Sequence, residues 1–136
     1  MHIQRAASFL LLAVLLAGCR NPYLVAQRFE DSSRKYGQMV RWHEYEKACD
    51  TFAAPSIRED CLMRARAAEG VSMADYRVKG TEVDREKGTA TVRAEIDYYI
   101  LPSARLKTIE DLQQWRYEPV EGSEVWRIVT PLPAFR

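Results

Sequence analysis

The sequence predicts an α+β fold, in which N-terminal helices pack on one face of a curved antiparallel sheet of about four strands. Two observations predict it. Apolar residues recur at helical steps of three and four up to Gly70, and the pattern then changes to the alternation of half-buried strands. Helices followed by a run of strands, without a repeating strand-helix-strand order, are typical of α+β domains.

Three helices are predicted before Gly70, over residues 23–42, 43–52 and 55–70. Pro22 suits the start of the first helix, because the first turn leaves a backbone N–H unused and proline lacks one. The predicted buried faces follow helical spacing. They are Ala26, Phe29, Ser33, Tyr36 and Val40 in the first helix, Tyr45, Ala48, Cys49 and Phe52 in the second, and Ile57, Cys61, Leu62 and Ala65 in the third.

Four strands are predicted after Gly70. The clearest is "TATVRAEIDYYI", residues 89–100, and a less regular strand over residues 72–84 joins it through the polar turn "DREKG" as an antiparallel hairpin. Strands over residues 105–118 and 124–130 follow, joined by "EPVEG", although residues 108–114 also fit a short helix. The inward positions of the clearest strand are Ala90, Val92, Ala94, Ile96, Tyr98 and Ile100.

Residues 1–18 are predicted to be a signal peptide. Arg5 and the amino terminus precede an apolar run from Ala6 to Gly18, which is shorter than the roughly 20 residues that a membrane helix needs. Small residues, Ala17 and Gly18, stand where a signal protease cuts.

The sequence Leu16-Ala17-Gly18-Cys19 resembles the lipobox of bacterial lipoproteins. This resemblance implies cleavage before Cys19, a diacylglycerol on its thiol and a further acyl chain such as palmitate on the new amino terminus. Two or more chains anchor a protein stably. Arg20 stands where aspartate usually implies retention in the inner membrane, so the family pattern implies the periplasmic face of the outer membrane. The alternative is an ordinary cysteine in an uncleaved helix.

The chain after this cleavage is expected to have lipidated Cys19, a short tether to Pro22 and a single domain over residues 23–136. Removal of residues 1–18 takes away one basic residue, Arg5, which leaves 19 basic and 19 acidic residues. A neutral chain favours neither nucleic acid nor an anionic lipid surface as a partner, because both need clustered positive charge.

The order of elements, with "QQWRY", "VWRIV" and the closing "PLPAF", resembles the nuclear-transport-factor-two-like superfamily and small lipoproteins of similar shape. The resemblance covers residues 23–135 and implies a cystatin-like cone, in which a curved sheet wraps a long N-terminal helix. One feature differs, since the short strand that often lies between the helices is not evident in this sequence.

Cys49 and Cys61 are predicted to form a disulfide. Export places them in an oxidising compartment, and both lie on the apolar faces of adjacent helices. The helical hairpin brings their Cα atoms within the range of about 4.4 to 6.8 Å that a bridge requires. The alternative is two buried free thiols.

No metal site, cofactor or catalytic residue is predicted. His43 is the only histidine after cleavage and is interpreted as a helix-surface residue, because metal sites usually need three or four ligands. The inward face of residues 89–100 offers one polar group, the Tyr98 hydroxyl, while Glu95 and Asp97 point to the opposite face. No general base is therefore evident on the inward side. Some members of the superfamily nevertheless isomerise or hydrate small apolar substrates with a carboxylate or a His-Asp pair inside the cone.

Four aromatic residues have two interpretations. They either line a small apolar pocket or binding surface, or pack in the core. They are Tyr98, Trp115, Tyr117 and Trp126. The opposite face of the strand over residues 89–100 is either solvated or a self-association surface; its residues are Arg93, Glu95, Asp97 and Tyr99.

The expected function is that of a non-catalytic binding or accessory module of the bacterial cell envelope. Its expected partners are the membrane, through the lipid anchor, and an envelope protein or a small apolar ligand. The alternatives are a small enzyme of the isomerase or dehydratase type and a structural subunit of an envelope complex.

Overall fold

A computed structural model describes residues 21–120 and 123–136. The predicted α+β class is confirmed, because three N-terminal helices precede one antiparallel sheet with the strand order β1-β2-β3-β4. The predicted signal peptide and lipobox, including Cys19, lie outside the described residues. The elements are α1 (Pro22–Arg41), α2 (Tyr45–Phe52), α3 (Arg58–Ala67), β1 (Val71–Asp84), β2 (Thr89–Ile100), β3 (Lys107–Val120) and β4 (Ser123–Ile128).

Helix α1 begins at Pro22 because Asn21 caps it, accepting a hydrogen bond from the backbone N–H of Tyr23 on its side-chain oxygen at 3.1 Å. The predicted buried face differs at its first position. Val25, the larger apolar side chain, is fully buried, whereas Ala26 and Ser33 are only half-buried. The fully buried residues of α1 are Val25, Phe29, Tyr36, Gly37 and Val40.

Helices α2 and α3 form a hairpin that the predicted disulfide closes. Cys49 and Cys61 are bonded, with their Cα atoms 5.7 Å apart, and both are fully buried. Helix α3 begins at Arg58 rather than Pro55, because the intervening residues form a turn. The disulfide therefore joins the two helices within the buried core.

The sheet has two faces that differ in what covers them. The helices cover the inner face, and the alternation predicted for β2 is confirmed, because its even-numbered residues from Ala90 to Tyr98 are buried. The short helix considered for residues 108–114 is wrong, since β3 continues through them and pairs with β2 throughout. The opposite, outer face exposes Leu112 to 53%.

The two edge strands of the sheet differ, because β4 is covered by a backbone pairing and β1 is irregular. Ala53, between α2 and α3, forms a parallel bridge to Ile128, and the N–H of Ala54 donates to the Ile128 carbonyl at 2.9 Å. This pairing covers the outside of β4. Strand β1, at the other edge, is interrupted by irregularities between Met73 and Asp75 and between Val78 and Gly80.

Within the described ranges, no helix combines the length and the apolar character that a membrane span requires.

Candidate functional site

The four aromatic residues considered as pocket residues are buried on the inner face, in one core cluster but with different ring partners. Trp115 and Trp126 meet Phe29 of α1 edge-on, with ring centroids 5.8 and 4.9 Å apart, and Tyr117 stacks beside Trp126. Tyr98 packs instead against Phe135 near the other end of the sheet. None of the four lines the cleft between α1 and the sheet, so the structure places them in core packing.

A cleft of about 330 Å³ lies between α1 and the β1 side of the sheet. Its helix wall is formed by Glu30, Ser33, Arg34, Gly37, Gln38 and Arg41. Its sheet wall is formed by Tyr76, Val78, Thr81 and Val92. Ligand sites of small proteins commonly enclose about 300 to 1,000 Å³, so the cleft suits a small molecule.

The cleft has an apolar floor and a charged rim. Val92 is almost completely buried at its base, whereas Val78 is 57% exposed, which leaves part of the floor open to solvent. On the rim, Arg34 pairs with Asp31 and a nitrogen of Arg41 lies 3.8 Å from a carboxylate oxygen of Asp75. These ion pairs are half-exposed and therefore weak, so the arginines remain able to contact a ligand.

Gly37 determines the shape of the cleft. A Cβ atom at this position would lie 2.8 Å from Cε1 of Tyr76, closer than real Cβ contacts. The absence of a side chain lets the Tyr76 ring pack directly against the backbone of α1. Gly37 thereby fixes the ring that separates the cleft from the core.

A hydrogen-bonded polar cluster lies behind Tyr76 on the inner face. The Gln113 amide nitrogen donates to the Tyr76 hydroxyl at 2.7 Å and to the Asp111 carboxylate at 2.9 Å. The Gln113 amide oxygen accepts from the Trp115 indole at 3.2 Å. Gln113 is 1% exposed and Asp111 is 5% exposed. Buried polar groups that are paired in this way fix the positions of one another.

Burial makes this cluster electrostatically unusual. It raises the pKa of Asp111 from 3.8 to about 6, against the hydrogen bond from Gln113, which lowers it. Burial also raises the pKa of Tyr36 well above 10, and the neighbouring acidic groups of Asp111 and Tyr76 add to that increase. The Tyr76 pKa is raised by burial as well. Asp111 is thus a carboxyl group that changes its charge near pH 6.

The sequence pattern contained enough information to find Asp111 and Gln113. Counting back from Tyr117 and Trp115 in steps of two gives Gln113 and Asp111 on the same strand face. The prediction of no general base on the inward side considers β2 alone and is therefore incomplete. The inner face of β3 carries a carboxyl group that β2 lacks.

His43 does not lie on a helix surface, so that interpretation is wrong. It occupies the turn between α1 and α2 with a φ of 64°, and its Nε2 accepts the backbone N–H of Met73 at 3.0 Å. The ring therefore caps the edge strand β1. A shallow cleft of about 760 Å³ adjoins it, lined partly by Glu44 and Glu69. In residues 21–120 and 123–136, no group of three or more ligand residues is placed to hold a metal ion.

The sequence matches no protein-family model and no curated protein. The geometry of the cleft and of the polar cluster is therefore the basis for a functional proposal.

Proposed function

We propose that the protein is a bacterial lipoprotein of the outer membrane, anchored on the periplasmic face through Cys19, whose α+β domain binds a small ligand without performing chemistry. The ligand has a mainly apolar body and occupies the cleft between α1 and β1. The observation that carries the proposal is the cleft itself, with its open apolar floor and its charged rim.

Two features support export and anchoring. The lipobox-like sequence ends at Cys19, immediately before the short tether to α1. The other two cysteines, Cys49 and Cys61, are joined in a disulfide, which persists in the periplasm but is rare in the bacterial cytosol. Export to the periplasm would therefore explain both the lipidation of Cys19 and the disulfide between the other two cysteines.

The cleft supports binding of a small ligand rather than of an extended chain. Its floor of Tyr76, Val78 and Val92 offers apolar contact, and Arg34 and Arg41 line its helix wall together with Glu30. An apolar ring system with an acidic group satisfies both regions, because its rings contact the floor and its charge faces the arginines.

The cleft is tested with the fluorescent probe 1-anilinonaphthalene-8-sulfonate, which has apolar rings and one sulfonate. We expect the probe to bind to the full chain and Val78→Trp to abolish this binding, because the larger side chain fills the floor. Leu112→Trp is the matched control, since Leu112 is similarly exposed but lies on the outer face. Equal binding by both variants would remove the cleft as the binding site.

The anchor is tested in cells. Inhibition of the lipoprotein signal peptidase should make the uncleaved precursor accumulate, and Cys19→Ala should abolish acylation, so that no processed lipoprotein forms. A Cys19→Ala variant that is still processed and still fractionates as a membrane lipoprotein would contradict the anchor.

A small enzyme of the isomerase or dehydratase type is a second candidate, and the observation that favours it is Asp111. A carboxyl group with a pKa of about 6 is suited to take up and release protons near neutral pH. Asp111 does not line the cleft, but Gln113 joins it to Tyr76, which does. Catalysis would therefore require Tyr76 to move and expose the carboxyl group to the substrate.

Carbon-13 NMR titration of the Asp111 carboxyl group distinguishes the candidates, with Asp111→Asn used to assign the signal. The enzyme candidate predicts that saturating 1-anilinonaphthalene-8-sulfonate shifts the titration midpoint, because the bound molecule reaches the carboxyl group. The binding module predicts an unchanged midpoint, because Tyr76 keeps the probe away from it.

A further inference from the structure

Helix α1 and the β1–β2 turn meet at one end of the molecule, which we call the proximal end. Pro22, the first residue of α1, lies beside the end of β1 and the turn that follows it, residues 82–86. On β3, the Tyr117 hydroxyl accepts a hydrogen bond from Arg28 at 3.0 Å. The start of α1 is therefore fixed against the hairpin end of the sheet.

Helix α1 then runs across the sheet to the opposite, distal end. At its last residue, Arg41 lies near Asp75, and His43, two residues further on, accepts the backbone N–H of Met73 near the beginning of β1. Twenty residues of α-helix span about 30 Å. The distal end also exposes apolar side chains, Trp42 to 74%, Leu101 to 60% and Leu106 to 58%, so exposure alone does not distinguish the two ends and the tether must do so.

The proximal end exposes two apolar side chains where the chain enters the domain. Tyr23 is 67% exposed and Leu24 is 43% exposed, both in the first turn of α1. Tyrosine is favoured at membrane interfaces, where its ring contacts apolar chains and its hydroxyl contacts water. The adjacent turn, residues 84–87, has two acidic and two basic side chains, so it neither repels nor requires anionic lipid.

The tether leaves little freedom at this end. Two residues separate Cys19 from Pro22, and an extended chain spans at most about 3.5 Å per residue, so about 10 Å joins the lipidated residue to α1. A domain held this closely must place its proximal end against the lipid headgroups.

We propose that the proximal end lies in the headgroup layer, with Tyr23 and Leu24 in the membrane interface. This inference rests on the proposed lipid anchor. The helix wall of the cleft begins at Glu30, eight residues or about 12 Å along α1, and continues to Arg41 near the distal end. The cleft therefore opens to the periplasm, away from the bilayer, and its ligand enters from the aqueous side.

The test measures tryptophan emission of the full acylated chain in phosphatidylcholine vesicles, with or without bromine on the acyl chains. Tyr23→Trp adds one tryptophan at the proximal end, and Leu106→Trp is the matched variant at the distal end. The three native tryptophans are common to both variants, so emission is compared with that of the unsubstituted chain. We expect bromine to quench the added emission of Tyr23→Trp and to leave that of Leu106→Trp unchanged.

The outcomes separate this inference from the proposed anchor. A chain that binds the vesicles but shows equal quenching for both variants, or stronger quenching for Leu106→Trp, would overturn the orientation alone. A purified chain that carries no lipid and does not float with the vesicles would overturn the anchor, and the orientation with it.

Discussion

The two faces of the sheet hold aspartates that behave in opposite ways. On the inner face, burial raises the pKa of Asp111 to about 6. On the outer face, hydrogen bonds from Arg77 and then from Thr108 lower the pKa of Asp97 to about 2. The two carboxyl groups belong to neighbouring strands of one sheet, so the difference comes from what covers each face.

The outer face supplies Asp97 with a positive partner. Arg77 donates to both oxygens of Asp97, at 2.7 and 3.2 Å, and also contacts Asp75 and Glu95. The inner face supplies Asp111 with a neutral amide, from Gln113, and removes water. A charged carboxylate is thus stabilised on the outer face and penalised on the inner face.

The largest expected difference between the faces is in packing. Trp115 is 1% exposed and meets the rings of Phe29, Tyr36 and Phe52, so Trp115→Ala should lower the free energy of unfolding by about 3 to 5 kcal/mol. Leu112→Ala on the outer face should change it by less than about 0.5 kcal/mol. Urea unfolding measures both values, and similar losses would show that the helices do not cover the inner face as described.

The second difference concerns the charge of Asp111. Because its folded pKa of about 6 exceeds the ordinary 3.8, its contribution to stability is full below about pH 4 and is lost as the pH rises through 6. The difference between these two pKa values corresponds to a free energy of about 3 kcal/mol. Asp111→Asn cannot ionise, so we expect it to raise the free energy of unfolding by up to about 3 kcal/mol at pH 7.5 and by almost nothing at pH 4.

Urea unfolding at the two pH values measures this difference. The same stabilisation at both would mean that the carboxyl group ionises as freely in the folded chain as in the unfolded chain. A loss of stability at pH 7.5 would mean that the ionised form is stabilised by an interaction other than the hydrogen bond from Gln113.

The third difference compares two glycines. Gly37→Ala should displace the Tyr76 ring and lower the free energy of unfolding by about 1 kcal/mol, because overpacking exceeds the gain in helix propensity. Binding of 1-anilinonaphthalene-8-sulfonate should weaken as well. Gly80→Ala is the control, since its Cβ would lie at an ordinary 3.6 Å from an Arg93 nitrogen. Equal probe binding by the two variants would contradict the role of Gly37.

The sequence pattern predicted most of the fold because most helices and strands are determined by the spacing of apolar residues within the element itself. Alternation in β2 and helical spacing in α2 depend on residues within one element, and both faces were predicted correctly. The pairing of Cys49 with Cys61 also follows from one short hairpin. The start of α3 and the buried face at the start of α1 were less accurate, since they depend on packing against the sheet.

The candidate site was not predicted because its parts come from distant elements. The cleft depends on Gly37 of α1 meeting Tyr76 of β1, and one sequence does not show that contact. The alternation of β3 predicts that Asp111 lies on the inner face. Its raised pKa, however, depends on how completely the helical layer removes water from the carboxyl group. Side-chain type and spacing predict which face of a strand a residue lies on. Burial and hydrogen-bond partners, which determine the chemistry of that residue, depend on the folded structure.

The smallest expected effect is at Asp97. Its folded pKa of about 2 lies below the ordinary 3.8, so its contribution to stability is present above about pH 4 and is lost as the pH falls through 2. Asp97→Asn should therefore lower the free energy of unfolding slightly at pH 7, the opposite sign to Asp111→Asn. The partners are partly exposed, so salt should reduce this loss. Urea unfolding at pH 7 in low and in high salt measures it. A loss that high salt leaves unchanged would mean that Arg77 holds Asp97 in an environment as dry as that of Asp111, and the contrast between the two faces would then fail.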